Sequence, residues 1–201
     1  MVHPDRRCQG FVLIGGRSSR MGQDKALLTF GNLPLAARIA NLVQSVCGGV
    51  TLVGSRAKYS SLGFPVIEDI FPNQGPLGGI HSALTHAHAP RSLIVGCDMP
   101  HLSSGFLELL LEIARDAEAD AVVPETDSAG YEPLCAVYTQ ACLPPLEEAL
   151  RNGQRKISHV LDQLRIRRVT PREWQLFDPH GKLFCNLNTP EEYTEAVTSG
   201  E

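Results

Sequence analysis

This 201-residue chain contains no apolar run approaching the roughly 20 residues that a membrane span needs. Its first residues, Met1-Val2-His3-Pro4-Asp5-Arg6-Arg7, carry no apolar h-region before Gly10, so no secretory leader is expected. Basic residues are not in excess: 18 Lys and Arg against 22 Asp and Glu leave a net charge of −4. That excludes a broad basic field for nucleic acid or anionic lipid, so any bound phosphate must be held by a few well-placed groups. Six cysteines occur, at 8, 47, 97, 135, 142 and 185, but none forms a C-x-x-C pair and no zinc spacing appears. Cys97 and Cys135 lie in apolar runs, where a thiol acts as a small core hydrophobe. The expectation is a reduced, cytoplasmic protein with no nucleic-acid or membrane partner. Neither G-x-x-x-x-G-K-[ST] nor G-x-G-x-x-G is present, so a P-loop ATPase and a dinucleotide dehydrogenase both lose their main evidence. There is no G-x-S-x-G nucleophile elbow, no repeat and no linker long enough to separate domains.

What is present is an ordinary globular composition, 43% apolar and 20% charged. Short apolar runs alternate with helical patterns, which predicts an α/β fold: a Rossmann-like three-layer sandwich around a mainly parallel sheet. Strands are expected at Gly10–Ile14, Val50–Val53, Val66–Ile67, Ser92–Cys97 and Asp120–Pro124, with Pro133–Tyr138 as a further, antiparallel candidate. Helices are expected at about Pro34–Val46, from the Gly75–Gly79 loop through Ala87, and at Ser104–Asp116, Pro144–Arg151 and Ile157–Leu164. Arg167–Thr170 reads as an edge strand. Thr189-Pro190-Glu191-Glu192 is a capping box, with Thr at the N-cap, Pro at N1 and Glu at N3, so a last helix starts near Pro190.

In an open parallel sheet, ligands bind beyond the carboxyl ends of the strands. The first strand delivers Gly15, Gly16, Arg17, Ser18, Ser19, Arg20 and Lys25 there. Glycines admit close backbone approach, exposed amides can hold phosphate oxygens, and Arg20 and Lys25 add charge. The same composition suits a plain Gly-rich turn with solvated cations. Strand three delivers Glu68 and Asp69; alternation puts only one of the pair on the site, and either a binding or a turn role fits Asp69. Asp98 closes strand four. A turn Asp is the commoner fate of such a residue, but its strand-end position favours Mg²⁺, with phosphate oxygens completing the octahedron. His81, His86 and His88 are spaced five and two apart, wrong for ligands on one helical face, and are expected at a solvated helix end.

These residues also carry a family resemblance. The loop Gly15-Gly16-Arg17-Ser18-Ser19-Arg20-Met21-Gly22-Gln23-Asp24-Lys25 resembles the signature of the molybdopterin guanylyltransferases, the MobA-like nucleotidyltransferases. Val66-Ile67-Glu68-Asp69, Gly75-Pro76-Leu77-Gly78-Gly79-Ile80, Cys97-Asp98-Met99-Pro100 and Asn186-Leu187-Asn188-Thr189-Pro190-Glu191-Glu192 follow in the family's order. At Ile14 and Gly54 the chain departs from the pattern, which usually shows Ala and often Asn there. The resemblance implies a nucleotide-diphospho-sugar transferase type of fold. It implies one domain over 1–201, with a nucleotide-binding half at about 8–125 and an acceptor half at about 126–201. It also implies transfer of GMP from GTP to Mo-molybdopterin, releasing pyrophosphate. The related cytidylyltransferases and other NTP-dependent transferases are the alternative. By the same resemblance, Leu13, Ile14, Gly15 and Gly16 would border the nucleotide, with Lys25 and Asp69 binding it. Asp98 would hold Mg²⁺, and Arg20 would join Lys25 and Asp98 in catalysis. Gly78, Gly79, Asn186 and Asn188 would face the acceptor. A monomer is expected, working with proteins that deliver molybdopterin and molybdoenzymes that accept the product.

Overall fold

The computed structural model describes residues 7–14, 24–126, 130–189 and 191–194. In chain order the strands are β1 (Cys8–Leu13), β2 (Thr29–Phe30), β3 (Leu33–Pro34), β4 (Val50–Val53), β5 (Val66–Ile67), β6 (Arg91–Gly96), β7 (Ala121–Thr126), β8 (Gly130–Tyr131), β9 (Cys135–Thr139) and β10 (Ile166–Val169). The helices are α1 (Leu35–Cys47), α2 (Arg56–Tyr59), α3 (Pro76–His86), α4 (Ser104–Asp116), α5 (Leu143–Arg151), α6 (Ile157–Leu161) and α7 (Pro171–Trp174), with short 3₁₀ turns between some of them. Residues 191–194 are also helical.

The main sheet runs β10-β7-β9-β6-β1-β4-β5, with β8 paired to β7. Its contacts are parallel except along β9, which is antiparallel to both β6 and β7, and β8, which is antiparallel to β7. The antiparallel candidate at Pro133–Tyr138 is therefore β9, and the edge candidate is β10, parallel to β7. Strand alternation sorts side chains into two cores. Val12, Leu52, Leu93, Val95 and Val137 face α1 and α4, where Ile39, Val43, Phe106 and Leu110 are buried. Phe11, Leu13, Val53, Ile94 and Tyr138 face α3, α5 and α6. A small third cluster joins Phe30, Leu35 and Leu187.

Several elements differ from the sequence reading. Helix α3 begins at Pro76, so Gly78 and Gly79 are helical residues; only Gly75, at φ +63°, stays outside as the turn before the proline. Helix α6 stops at Leu161 rather than Leu164. The β2–β3 hairpin, α2, β8 and α7 are too short to carry a periodic pattern and have no counterpart among the elements expected from sequence.

Candidate active site

The strand order reverses direction at β1, with β4 on one side and β6 on the other, which makes the β1/β6 carboxyl edge the topological switch point. Hydrogen bonding continues just past the strands and squares off this edge. Ile14 N–H donates to the Val53 carbonyl (3.0 Å), Cys97 N–H to Leu13 (3.1 Å) and Gly54 N–H to Ile67 (2.9 Å). Leu13 is thus committed to the scaffold: its carbonyl is taken by Cys97, and its side chain packs on α3 where a Cβ on Gly79 would stand 3.1 Å from it. Ile14, only 3% exposed, seals the same edge.

Asp98 follows directly. Burial pushes its carboxyl above the usual carboxylate range, while the Lys25 ammonium and a backbone donor pull it back. Lys25 stands in the short 3₁₀ turn Lys25–Leu27, which Asp24 caps by accepting from Ala26 N–H at 3.2 Å. The Tyr59 hydroxyl donates to the other Asp24 oxygen at 2.7 Å. Burial and that carboxylate raise the Tyr59 pKa, so the phenol stays a donor. The Lys25 Nζ donates to Asn188 Oδ1 at 2.7 Å, and Leu187 N–H donates to the Asp98 carbonyl at 3.0 Å. Residues 163 positions apart are thereby brought together.

Asp69 lies at the end of β5. Its carboxyl is raised by burial, and its buried Oδ1 has no hydrogen-bond partner. Glu68 is exposed and accepts from Arg56 N–H, so the pair splits as alternation requires. Asn186 likewise has a buried, unpartnered Oδ1. Gly78 and Gly79 have packing roles: a Cβ on Gly78 would meet the Phe71 carbonyl at 2.8 Å, and Gly79 faces Leu13. Gly15, Gly16 and Arg20 lie outside the described residues.

The sequence reading missed Glu132, which precedes β9. Burial raises its pKa, Leu134 N–H donates to its Oε1 at 3.1 Å, and the Asp98 charge acts on it. No spacing marked it, since only β9 pairing with β6 carries it to Asp98. The three histidines do not share the solvated helix end expected for them. His86 and His88 are exposed, but His81 is 5% exposed, set edge-on to Phe71 with ring centroids 5.0 Å apart. Burial lowers its pKa, so it is a neutral core residue. Ile14 and Gly54, the two departures from the family pattern, are neighbours: a Cβ on Gly54 would lie 2.9 Å from Ile14 Cγ1 and 3.3 Å from the Tyr59 ring. The larger residue at 14 fills the space that a side chain at 54 would use.

No group of three or more His, Cys, Asp and Glu among the described residues could cage a metal. The arrangement instead suits Mg²⁺, which is usually held by one or two carboxylates together with substrate phosphates. Asp98 fits: burial raises the cost of its charge, and among the described residues Lys25 is the cationic side chain that acts on it.

A sheet of this topology, with Lys25 and Asp98 at its switch point and Asp69 beyond the edge strand β5, suits a nucleotide-handling α/β fold. The chain matches the MobA-like NTP transferase domain over residues 10–169, and it belongs to that family. It is 33% identical to a probable molybdenum cofactor guanylyltransferase of Pelotomaculum thermopropionicum, over 96% of this chain and 93% of that protein. It is also 33% identical to a molybdenum cofactor guanylyltransferase of Desulfosudis oleivorans, covering 93% of each. A crystal structure of the molybdopterin-guanine dinucleotide biosynthesis protein A of Archaeoglobus fulgidus superposes with a TM-score of 0.83 at 27% identity, covering 94% of this chain and 97% of that one. At the level of fold alone, the 2-C-methyl-D-erythritol 4-phosphate cytidylyltransferase of Thermus thermophilus superposes at 0.68, with 14% identity and 94% and 97% coverage.

Proposed function

We propose that this chain is a cytoplasmic, Mg²⁺-dependent guanylyltransferase that transfers GMP from GTP to Mo-molybdopterin. A terminal phosphate oxygen of the acceptor bonds to the α-phosphorus of GTP, the bond from that phosphorus to the β-phosphate oxygen breaks, and pyrophosphate leaves. The observation that carries the reading is the Lys25 ammonium beside Asp98 at the β1/β6 switch point, tied to Asn188 of the segment assigned to the acceptor.

The nucleophile has a second pKa of about 6, so it is largely ionised at neutral pH and needs no general base. The site agrees, because His81 is buried on α3 and is no base for it. What the residues must supply is relief of repulsion between two anions. Lys25 places a positive charge where charge grows on the leaving pyrophosphate. The Asp69 and Asn186 oxygens, buried and unpartnered, are placed to accept from ligand N–H or O–H groups. Mg²⁺ held by Asp98 would add charge neutralisation and bind phosphate oxygens when present. Arg20, Gly15 and Gly16 complete the nucleotide side in this reading. The protein acts as a monomer, taking molybdopterin from one partner protein and passing product to a molybdoenzyme.

The test is pyrophosphate release on mixing with Mg²⁺, GTP and Mo-molybdopterin, run in parallel with CTP. Asp98→Ala and Lys25→Ala should each lower turnover by about 10²–10³-fold, the usual loss for a group that acts on transition-state charge. Near-normal turnover in both would refute the site, and faster reaction with CTP would move the protein to the cytidylyl relatives.

A further inference from the structure

The C-terminal segment is fixed more firmly than substrate contact alone would require. Leu187 is buried in the third core cluster with Phe30 and Leu35, and its N–H is held by the Asp98 carbonyl at 3.0 Å. The next residue, Asn188, donates its backbone N–H to Glu192 Oε2 at 2.5 Å. The same Glu192 oxygen accepts from Thr189 N–H (3.0 Å), while Thr189 Oγ1 accepts from Glu192 N–H (3.2 Å), closing the capping box. Tyr193 then donates its hydroxyl to the Thr29 carbonyl, binding this end to β2. Glu192 therefore does two jobs with one carboxylate oxygen, and the second is to fix Asn188. Asn188 is exposed, yet both its backbone and the residue before it are tethered, and its side-chain oxygen is aimed at Lys25 Nζ.

We propose that Asn188 is a positioning residue for Lys25, so that the C-terminal segment sets where the ammonium meets the nucleotide phosphates. This rests on the GTP-binding reading of the site. A lysine head sits on a flexible four-carbon stem, and holding it in one place before the nucleotide arrives removes ordering cost from binding. A neutral amide oxygen suits the task. It accepts one ammonium hydrogen and does not cancel the charge as a carboxylate would. The segment assigned to the acceptor is thereby part of the nucleotide site even when no acceptor is bound.

The deciding experiment is calorimetric titration of the full chain with Mg²⁺-GTP in the absence of any acceptor, applied to the unaltered protein, Asn188→Ala, Lys25→Met and the double variant. Asn188→Ala should weaken GTP binding by about tenfold, the order of one charge-assisted hydrogen bond. In the Lys25→Met background the same change should add nothing, because there is no ammonium to position. Unchanged or tighter binding by Asn188→Ala, or losses that add in the double variant, would overturn the inference while leaving the guanylyl reading intact. Absence of GTP binding by the unaltered chain would overturn both.

Discussion

At the scale of single residues, the site trades stability for charge. Asp98 is the clearest case. Burial raises its folded pKa above the unfolded value, so the group favours folding below the unfolded pKa, and that contribution is lost as pH rises through the folded pKa. At neutral pH the ionised carboxylate is therefore a cost, reduced but not removed by Lys25. Asp98→Asn in Mg²⁺-free buffer should raise the melting temperature at pH 7 while lowering turnover; a lower melting temperature would show that Lys25 outweighs the burial. The Ile14–Gly54 pair makes a second prediction from packing. Gly54→Ala forces a Cβ to 2.9 Å from Ile14 Cγ1, with the Tyr59 ring behind, so neither neighbour can simply swing away. Overpacking of this kind costs about 1–3 kcal/mol. Ile14→Ala opens the space, so the double variant should lose less stability than the sum of the singles, by more than about 0.5 kcal/mol in urea unfolding. Additive losses would mean that the two positions do not share volume.

Among the secondary-structure elements, α7 shows how electrostatics and capping combine. Thr170 caps it, Pro171 occupies N1, and Glu173 at N3 reaches back to the Thr170 N–H at 2.8 Å. Hydrogen bonding from Arg167, then from Thr170, holds the Glu173 carboxyl down to about 2. A depressed acid contributes stability above its unfolded pKa and loses it as pH falls through the folded one. Glu173→Ala should therefore cost about 1 kcal/mol at pH 7, the ordinary worth of a cap. That difference from the unaltered protein should shrink as pH falls from the unfolded value of 4.5 toward about 2. A gap that is the same at pH 7 and at pH 3 would refute the ionic part. The same element marks the limit of reading from sequence. Thr189-Pro190-Glu191-Glu192 is recognisable as a capping box, and its reciprocal bonds are present. Thr170-Pro171-Arg172-Glu173 has the same form but passes as the end of an edge strand, because only one turn follows it and no apolar period supports it. The long elements were legible for the opposite reason. Helix α1 and helix α4 each bury one stripe over 13 residues, and β6 is buried on both faces as a central strand covered by helices on both sides must be. The strand-end positions of Asp98 and Asp69 were legible because each follows an apolar run, whereas the placing of Glu132 and the Lys25–Asn188 contact depend on tertiary pairing that no local pattern encodes.

For the whole molecule, the question is whether the C-terminal region folds with the sheet or merely lies on it. The chain's one tryptophan answers this well. Trp174 is 9% exposed, its indole N–H donates to the Glu125 carbonyl of β7 at 3.0 Å, and its ring meets Phe184 edge-on at 5.0 Å between centroids. Phe184 in turn packs edge-on against Phe106 of α4 at 5.4 Å. Trp174 and Leu183 belong to the same cluster as Val12, Val95 and Ile39. The region after β10 is thus continuous with the larger core, and Leu187 extends it to the hairpin that precedes α1. At this length, populated intermediates are common, so cooperative unfolding is a substantive expectation. Because the cores on the two faces share the strands of one sheet, and because the last segment spans the carboxyl edge at Asp98, we expect a single transition. Urea curves followed by Trp174 fluorescence and by far-ultraviolet circular dichroism should superimpose in midpoint and slope. Leu183→Ala, which empties a fully buried position, should move both midpoints together, at a cost of about 2–5 kcal/mol. A fluorescence transition that precedes the dichroism transition would make the C-terminal region a separately melting unit. The site would then owe its Asn188 contact to a segment that can open while the sheet stays folded.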